Sequence, residues 1–153
     1  MNVIIDTREK NPWDLEQNQY ITEIIYRKLD AGDYSVEGLE TWLSIERKAT
    51  VCEVAQNITK KHFWNSMNRL AVDVTFPFLI CEFSIADVYN YPNVKCLPKR
   101  QQTKSKISPV FIMSSFLRIM GMGIQVIYAD NVYHATKMAT SILNRGIKRH
   151  VKS

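Results

Sequence analysis

The chain predicts an α/β fold, a central mixed β-sheet flanked by helices, and three observations carry that prediction. Short apolar runs rich in β-branched residues come first, helical patterns alternate with apolar runs after them, and 46% of the 153 residues are hydrophobic against only five Gly and five Pro. That composition excludes a disordered or collagen-like chain, and the length suits one core in a single domain over residues 1–153.

Residues 2–6 (NVIID) are too short for a helix and suit a buried strand ending at Thr7-Arg8. Residues 20–29 (YITEIIYRKL) alternate enough for a second strand, Gly32-Asp33 turns the chain into residues 34–36, and residues 41–48 (TWLSIERK) form a third. Alternation puts Trp42, Ser44, Glu46 and Lys48 on one face of that strand and Leu43, Ile45 and Arg47 on the other. Three strands at short spacing suggest a meander. Thr50 and Glu53 have capping-box spacing and open a helix through Val54 and Ile58, and a second helix covers about residues 63–72. Residues 76–83 (FPFLICEF) read as a strand covered by helices on both faces. Ser108-Pro109 supplies an N-cap and first-turn proline for a helix to Met120, ended by Gly121 and Gly123. A last strand is expected at residues 124–128. A last helix follows over residues 132–147, with Val132, Ala135, Ala139, Ile142 and Leu143 on its apolar face.

The net charge of +5 is unevenly spread. Residues 95–106 carry five basic residues and no acid, and residues 145–153 carry four more, again with no acid. With those nine set aside, eleven basic residues face fifteen acidic ones, so the remaining body is net −4. Such a pattern suits a polyanion held at defined places. Cys52, Cys81 and Cys96 form no CxxC pair, so neither a disulfide framework nor structural zinc is expected and all three read as free thiols. The opening MNVIIDTRE is too acidic for a signal peptide and no apolar run approaches a membrane span. An intracellular protein of the cytoplasm or nucleoid is expected, with no membrane partner and no small-molecule cofactor.

An acidic residue at a strand end, followed on the next strand by an acid two positions before a lysine, is what metal-dependent phosphodiester cleavage needs. Asp33 and Glu46-Arg47-Lys48 have this form, with twelve residues between them. A cation held by Asp33 and Glu46 would sit beside the Lys48 ammonium, since Glu46 and Lys48 share a face. Two carboxylates are hard oxygen ligands for Mg²⁺, which keeps waters in its other positions, and Lys48 would orient a water or stabilise transition-state charge. Taken alone, the same pattern also describes ion pairs on a strand surface. Asp6 and Glu9 add carboxylates after the first strand, and Glu82 lies near the end of an apolar strand, where a charge needs solvent, a partner or a metal. Five carboxylates at strand ends are hard to attribute to accident.

The ordered set IIDTRE (4–9), AGDY (31–34), SIERK (44–48), LICEF (79–83) and the closing GIQVIY followed by HAT (134–136) resembles the ERCC4 nuclease domain. That domain belongs to the structure-specific endonucleases of the XPF, Mus81 and Hef group. The resemblance implies a restriction-endonuclease-like PD-(D/E)XK fold, Mg²⁺- or Mn²⁺-dependent hydrolysis and cleavage of branched, fork-like or flap-like DNA. Carried across, it implies Asp33 and Glu46 as metal ligands, Lys48 as the catalytic lysine and Asp6 as a further active-site and metal-binding carboxylate. Arg8 and Glu9 support the site, Arg47 orients it or meets a phosphate, and Glu82 stands near the cluster. Homodimerisation through the last helices is likewise implied.

Two departures from the family pattern stand out. The family has an Asp four positions after the lysine, where this chain has Cys52. Either Glu53 substitutes for it or Glu53 only closes the capping box, and its spacing from Thr50 favours the cap. The family's tandem helix-hairpin-helix domain is not expected here. DNA contact is therefore expected within the nuclease domain, at Lys95, Lys99, Arg100, Lys104 and Lys106 in a loop leading to a helix start at Ser108, and at Arg8, Lys60, Lys61 and Arg69. Tyr89, Tyr91 and Trp64 are candidates for stacking on bases or for core and rim packing. His134 reads as a residue of a helix N-terminus. A catalytically silent DNA-binding scaffold subunit and a duplex-cleaving restriction-type nuclease are the alternatives, the first disfavoured because Asp33, Glu46 and Lys48 are all present.

Overall fold

A computed structural model describes residues 1–152. Six strands form one sheet in the order β2-β1-β3-β4-β5-β6, with β1 at Asn2–Ile5, β2 at Glu23–Tyr26, β3 at Tyr34–Val36, β4 at Leu43–Lys48, β5 at Phe76–Cys81 and β6 at Gln125–Tyr128. The sheet is mixed: β3 runs antiparallel to β1 and β4, while β1–β2, β4–β5 and β5–β6 are parallel. The expected meander is therefore broken at β2. Instead of following β1 through a hairpin, the chain crosses over residues 6–22 and places β2 parallel at the sheet edge. That crossover buries Trp13 and Leu15, an apolar anchor that a tight turn could not supply.

Six helices complete the fold: α1 (Val51–Asn57), α2 (Lys61–Asp73), α3 (Ile85–Asn90), α4 (Lys99–Gln102), α5 (Pro109–Gly121) and α6 (Val132–His150). Thr50, Ser108 and Asn131 cap α1, α5 and α6 by accepting from Glu53, Phe111 and His134 N–H groups. The short helix α4 lies within the expected basic loop, and α3 in a stretch for which the sequence pattern predicts no element. Ser84 and Asp87 form a full capping box on α3, and α4 interrupts the basic segment.

The two faces of the sheet bury separate cores. On one, Leu79 and Cys81 of β5 pack with α1, α2, α3 and α5; on the other, Ile80 packs with Trp13, Leu43, Ile45 and the Ala135, Ala139 and Leu143 stripe of α6. This is why β5 is apolar throughout, as expected for a strand covered twice. Val132 departs from the expected α6 face: it is 53% exposed, because the first turn of α6 has not yet reached the sheet.

The cysteines require a correction. Cys52 of α1 and Cys96, just before α4, are joined by a disulfide, and only Cys81 is a free, buried thiol. Their separation of 44 residues hides the pair from motif spacing; packing of Tyr91 and Val94 into the α1 core brings them together. The bond fastens the basic segment beside the strand that carries Glu46 and Lys48.

Gly32 sets the approach of β3 to β4. Its φ is +79°, and a Cβ there would stand 2.2 Å from Ser44 Oγ, which itself donates to the carbonyl of Ala31 at 2.8 Å. Gly32→Ala should destabilise the fold by about 2 kcal/mol, combining left-handed strain with the clash, as a lower midpoint in urea unfolding. Reduction, or Cys96→Ser, should cost up to about 4 kcal/mol by loop closure, measured by the same unfolding with and without a thiol.

Candidate active site

β4 runs from the buried apolar interior to a polar end, and its alternation distributes the site. Lys48 Nζ bonds Glu46 Oε1 at 2.9 Å on one face, above the Phe63 ring. On the opposite face Arg47 points toward the β1 end. β3 enters antiparallel, so that Asp33 N–H donates to Ile45 O at 2.8 Å and Arg47 N–H donates to Asp33 Oδ2 at 2.8 Å. Residues from the segment after β1, the turn before β3, the end of β4 and α1 thus meet around a cleft of about 300 Å³ lined by Arg8, Glu9, Asp33, Arg47, Lys48 and Glu53, among others.

The electrostatics of this cleft are uneven. Burial, followed by the neighbouring charge of Glu46, pushes the Asp33 carboxyl well above its usual range, against the help of the Arg47 N–H. Burial alone would lower the Lys48 ammonium, but Glu46 and Glu53 more than reverse this and hold it protonated. Burial likewise opposes the Arg47 charge, and Glu82 outweighs it.

Asp6 stands apart from the metal-ligand expectation. Its two oxygens accept from Arg8 N–H, Nε and Nη2 and from Leu29 N–H, all at 2.7–2.8 Å. Burial would raise this carboxyl, and those donors together hold it below its ordinary value. With both oxygens engaged, Asp6 anchors Arg8 and the residues beyond β2. Arg47, expected either to orient the site or to meet a phosphate, is engaged within the protein: Nε donates to Glu82 at 2.6 Å and Nη1 to Glu9 at 3.1 Å and to Asn11 O at 2.7 Å. Glu53 does two things. It accepts from Ala49 N–H, closing the cap one residue earlier than the usual box, and its other oxygen lies 3.6 Å from Lys48 Nζ.

Trp13 was not singled out by sequence reasoning, yet it completes this network. Its indole N–H donates to Glu82, its ring stacks on Tyr34 at 4.4 Å, and the Arg47 guanidinium lies 5.7 Å from the ring. The one sequence signal was a lone large aromatic after Pro12 in an otherwise polar stretch.

The expected DNA contacts divide. Lys95, Lys99, Arg100, Lys104 and Lys106 are all exposed, make no ion pair among the described residues and are tied to α1 through Cys96. Lys60, Lys61 and Arg69 are exposed at the start and along the outside of α2. Of the aromatic candidates only Tyr89 is exposed; Tyr91 is core, and Arg118 covers the Trp64 ring at 3.9 Å. His134 lies in the first turn of α6, as expected. The second basic segment goes elsewhere: Arg145 and Lys148 lie beside Leu43, Phe76 and Gln125, at the opposite ends of the parallel strands from the cleft.

A carboxylate-lined cleft at one end of a mixed six-stranded sheet, with helices on both faces, defines a restriction-endonuclease-like nuclease domain. The profile of the ERCC4 domain matches residues 5–142, and the chain belongs to that family. Among solved structures it is similar to XPF from Aeropyrum pernix, with a TM-score of 0.70 and 16% identity over 99% of this chain and 68% of that one. It is likewise similar to the XPF from Aeropyrum pernix in complex with DNA, with a TM-score of 0.69 and 18% identity over 97% of this chain and 66% of that one. The chain thus spans about two thirds of the length of these relatives. No curated protein matches it. Among the described residues no helix is long and apolar enough to cross a membrane.

The raised Asp33 carboxyl has a sign that can be tested. A carboxyl harder to ionise in the fold than in the unfolded chain destabilises the fold in full above its folded value; the loss shrinks as pH falls below that value and is gone below its unfolded value. In EDTA, Asp33→Asn should therefore melt a few degrees above wild type at neutral pH, with the gap closing toward acid. Excess Mg²⁺ should raise the melting temperature of wild type only.

Proposed function

We propose that the chain is a divalent-metal-dependent endonuclease that hydrolyses phosphodiester bonds in branched, fork-like or flap-like DNA during repair, recombination or replication. The supporting observation is that Asp33 and Lys48 line one cleft inside an ERCC4 domain, with Glu46 bonded to the Lys48 ammonium and its charge acting on Asp33. DNA as the substrate is supported by the DNA complex of the Aeropyrum pernix relative.

The donor set fits Mg²⁺ or Mn²⁺. Burial and Glu46 both oppose ionisation of Asp33, a strain that a cation between the two carboxylates relieves. Among the described residues no three Asp, Glu, His or Cys side chains converge to form a cage, so Asp33 and Glu46 would hold the ion with waters in its other positions. Such an ion supplies a more acidic water and neutralises charge on the phosphate. Lys48 keeps its proton, so it serves as a fixed ammonium that orients the water or stabilises the transition state rather than as the base. Arg47, Glu9, Glu82 and Trp13 hold the cleft wall in place, and Asp6 presents Arg8 at its rim. The exposed lysines of residues 95–106 and of α2 supply phosphate contacts.

Homodimerisation belongs to the same proposal. β6 is a sheet edge, and α5 beside it exposes Val110, Phe111, Leu117 and Met120.

The test is purified protein with Mg²⁺ or Mn²⁺ on labelled fork, flap, four-way junction and linear duplex DNA. Cutting of branched DNA is expected, and preference for linear duplex would favour the restriction-type alternative. Lys48→Ala and Asp33→Asn should lower the cutting rate by at least about a hundredfold while leaving DNA affinity within a few fold. Binding without cutting by wild type in either metal would instead identify a silent scaffold subunit.

A further inference from the structure

A groove of about 750 Å³ lies away from the cleft, between the C-terminal turns of α6 and the starts of β4, β5 and β6. Leu43 on its wall and Lys48 in the cleft are five residues apart on β4, so roughly 17 Å separates the two sites. The groove has an apolar floor built from Phe76, Phe78 and Ile142, with Trp42 on its wall. Trp42 meets the Phe76 ring at 4.8 Å, and its indole Nε1 is buried without an acceptor. Gly146 allows the approach of α6 that shapes this groove, since a Cβ there would stand 2.3 Å from Leu43 Cδ2.

The rim has one sign of charge. Arg145, Lys148, Arg149 and Lys152 line it together with no acidic residue. Arg145, Lys148 and Lys152 are exposed and lack ion pairs among the described residues, while the Arg149 guanidinium lies 4.4 Å from the Phe76 ring. Along α6 and the turn that follows it, positions 145, 148 and 152 fall along one side and span about 10 Å, room for consecutive phosphates of one strand. The Lys95–Lys106 segment is at the other end of the molecule, so this row does not extend the track at the cleft.

We propose that this groove binds a short single-stranded nucleic-acid segment, with its phosphates on the Arg145, Lys148 and Lys152 row and its bases against the Trp42 and Phe78 floor. A basic row beside an aromatic and apolar floor is the combination that holds single strands with little regard to sequence. The proposal rests on the DNA-nuclease reading for the nature of its ligand but not for its chemistry, and it gives an unpaired arm of a branched substrate a second holding point.

The probe is fluorescein-labelled oligo(dT), titrated into the whole protein in EDTA, where no cutting occurs. Arg145→Glu with Lys148→Glu should weaken binding about tenfold and lower the salt slope by about 1.4, the value for two single-strand phosphate contacts. Lys48→Ala should leave oligo(dT) binding unchanged, so failure of the nuclease reading and failure of this one are separable. The oligonucleotide should also quench intrinsic tryptophan fluorescence through Trp42, a signal absent in Trp42→Phe and kept in Trp64→Phe. Unchanged oligo(dT) affinity in the double variant overturns the proposal. So does equal displacement by poly-L-glutamate of matched charge, which would make the groove a site for acidic protein. Loss of a dimer in sedimentation of the double variant overturns it too, by making the groove a contact between copies.

Discussion

The site depends on the antiparallel approach of β3 to β4. Gly32 brings the two strands close enough for Ala31 to receive the Ser44 hydroxyl, and the next residue, Asp33, is thereby bonded through both its N–H and its side chain to β4. A carboxylate is fixed, half-buried, next to Glu46, where its ionisation is opposed. The fold holds it there through backbone hydrogen bonds that do not depend on its charge. Stability at this position is given up for a close pair of carboxylates, whose repulsion the proposed cation would relieve.

Around that pair, most ionic side chains are spoken for. Arg47 is spent on Glu82, Glu9 and Asn11, and Asp6 on Arg8 and Leu29. These nearly buried networks fix positions more than they add net stability. Their effect is to hold the residue 8–13 loop, through Trp13, against Tyr34 as one cleft wall. Lys48 remains the one ammonium directed at the carboxylates, shared between Glu46 and Glu53.

Charge is arranged at the scale of the whole molecule as well. The two basic segments that stand out against a net −4 body lie at opposite ends of the sheet. One is fastened to α1 by a disulfide, near the proposed chemistry. The other forms the rim of a groove built on the far ends of the same strands, and a polyanion that meets both must extend along the sheet.

The sequence by itself determined the element types, their approximate order and the identity of the carboxylate–lysine set. Those features are local: Asp33, Glu46 and Lys48 are related by a turn and a period-two strand, and the caps at Thr50 and Ser108 each lie within four residues of what they cap. Features that depend on where distant segments pack were decided only by the tertiary structure. Nothing in residues 20–29 says that β2 pairs parallel with β1, because register comes from the burial of Trp13 and Leu15 in the crossover. Spacing could not pair Cys52 with Cys96, nor show that hydrogen bonds from Arg8 and Leu29 occupy Asp6. Trp13 joined the site and residues 145–152 left it for the same reason. A side chain's role follows from which end and face of the sheet it reaches, and that is settled by packing across the whole chain.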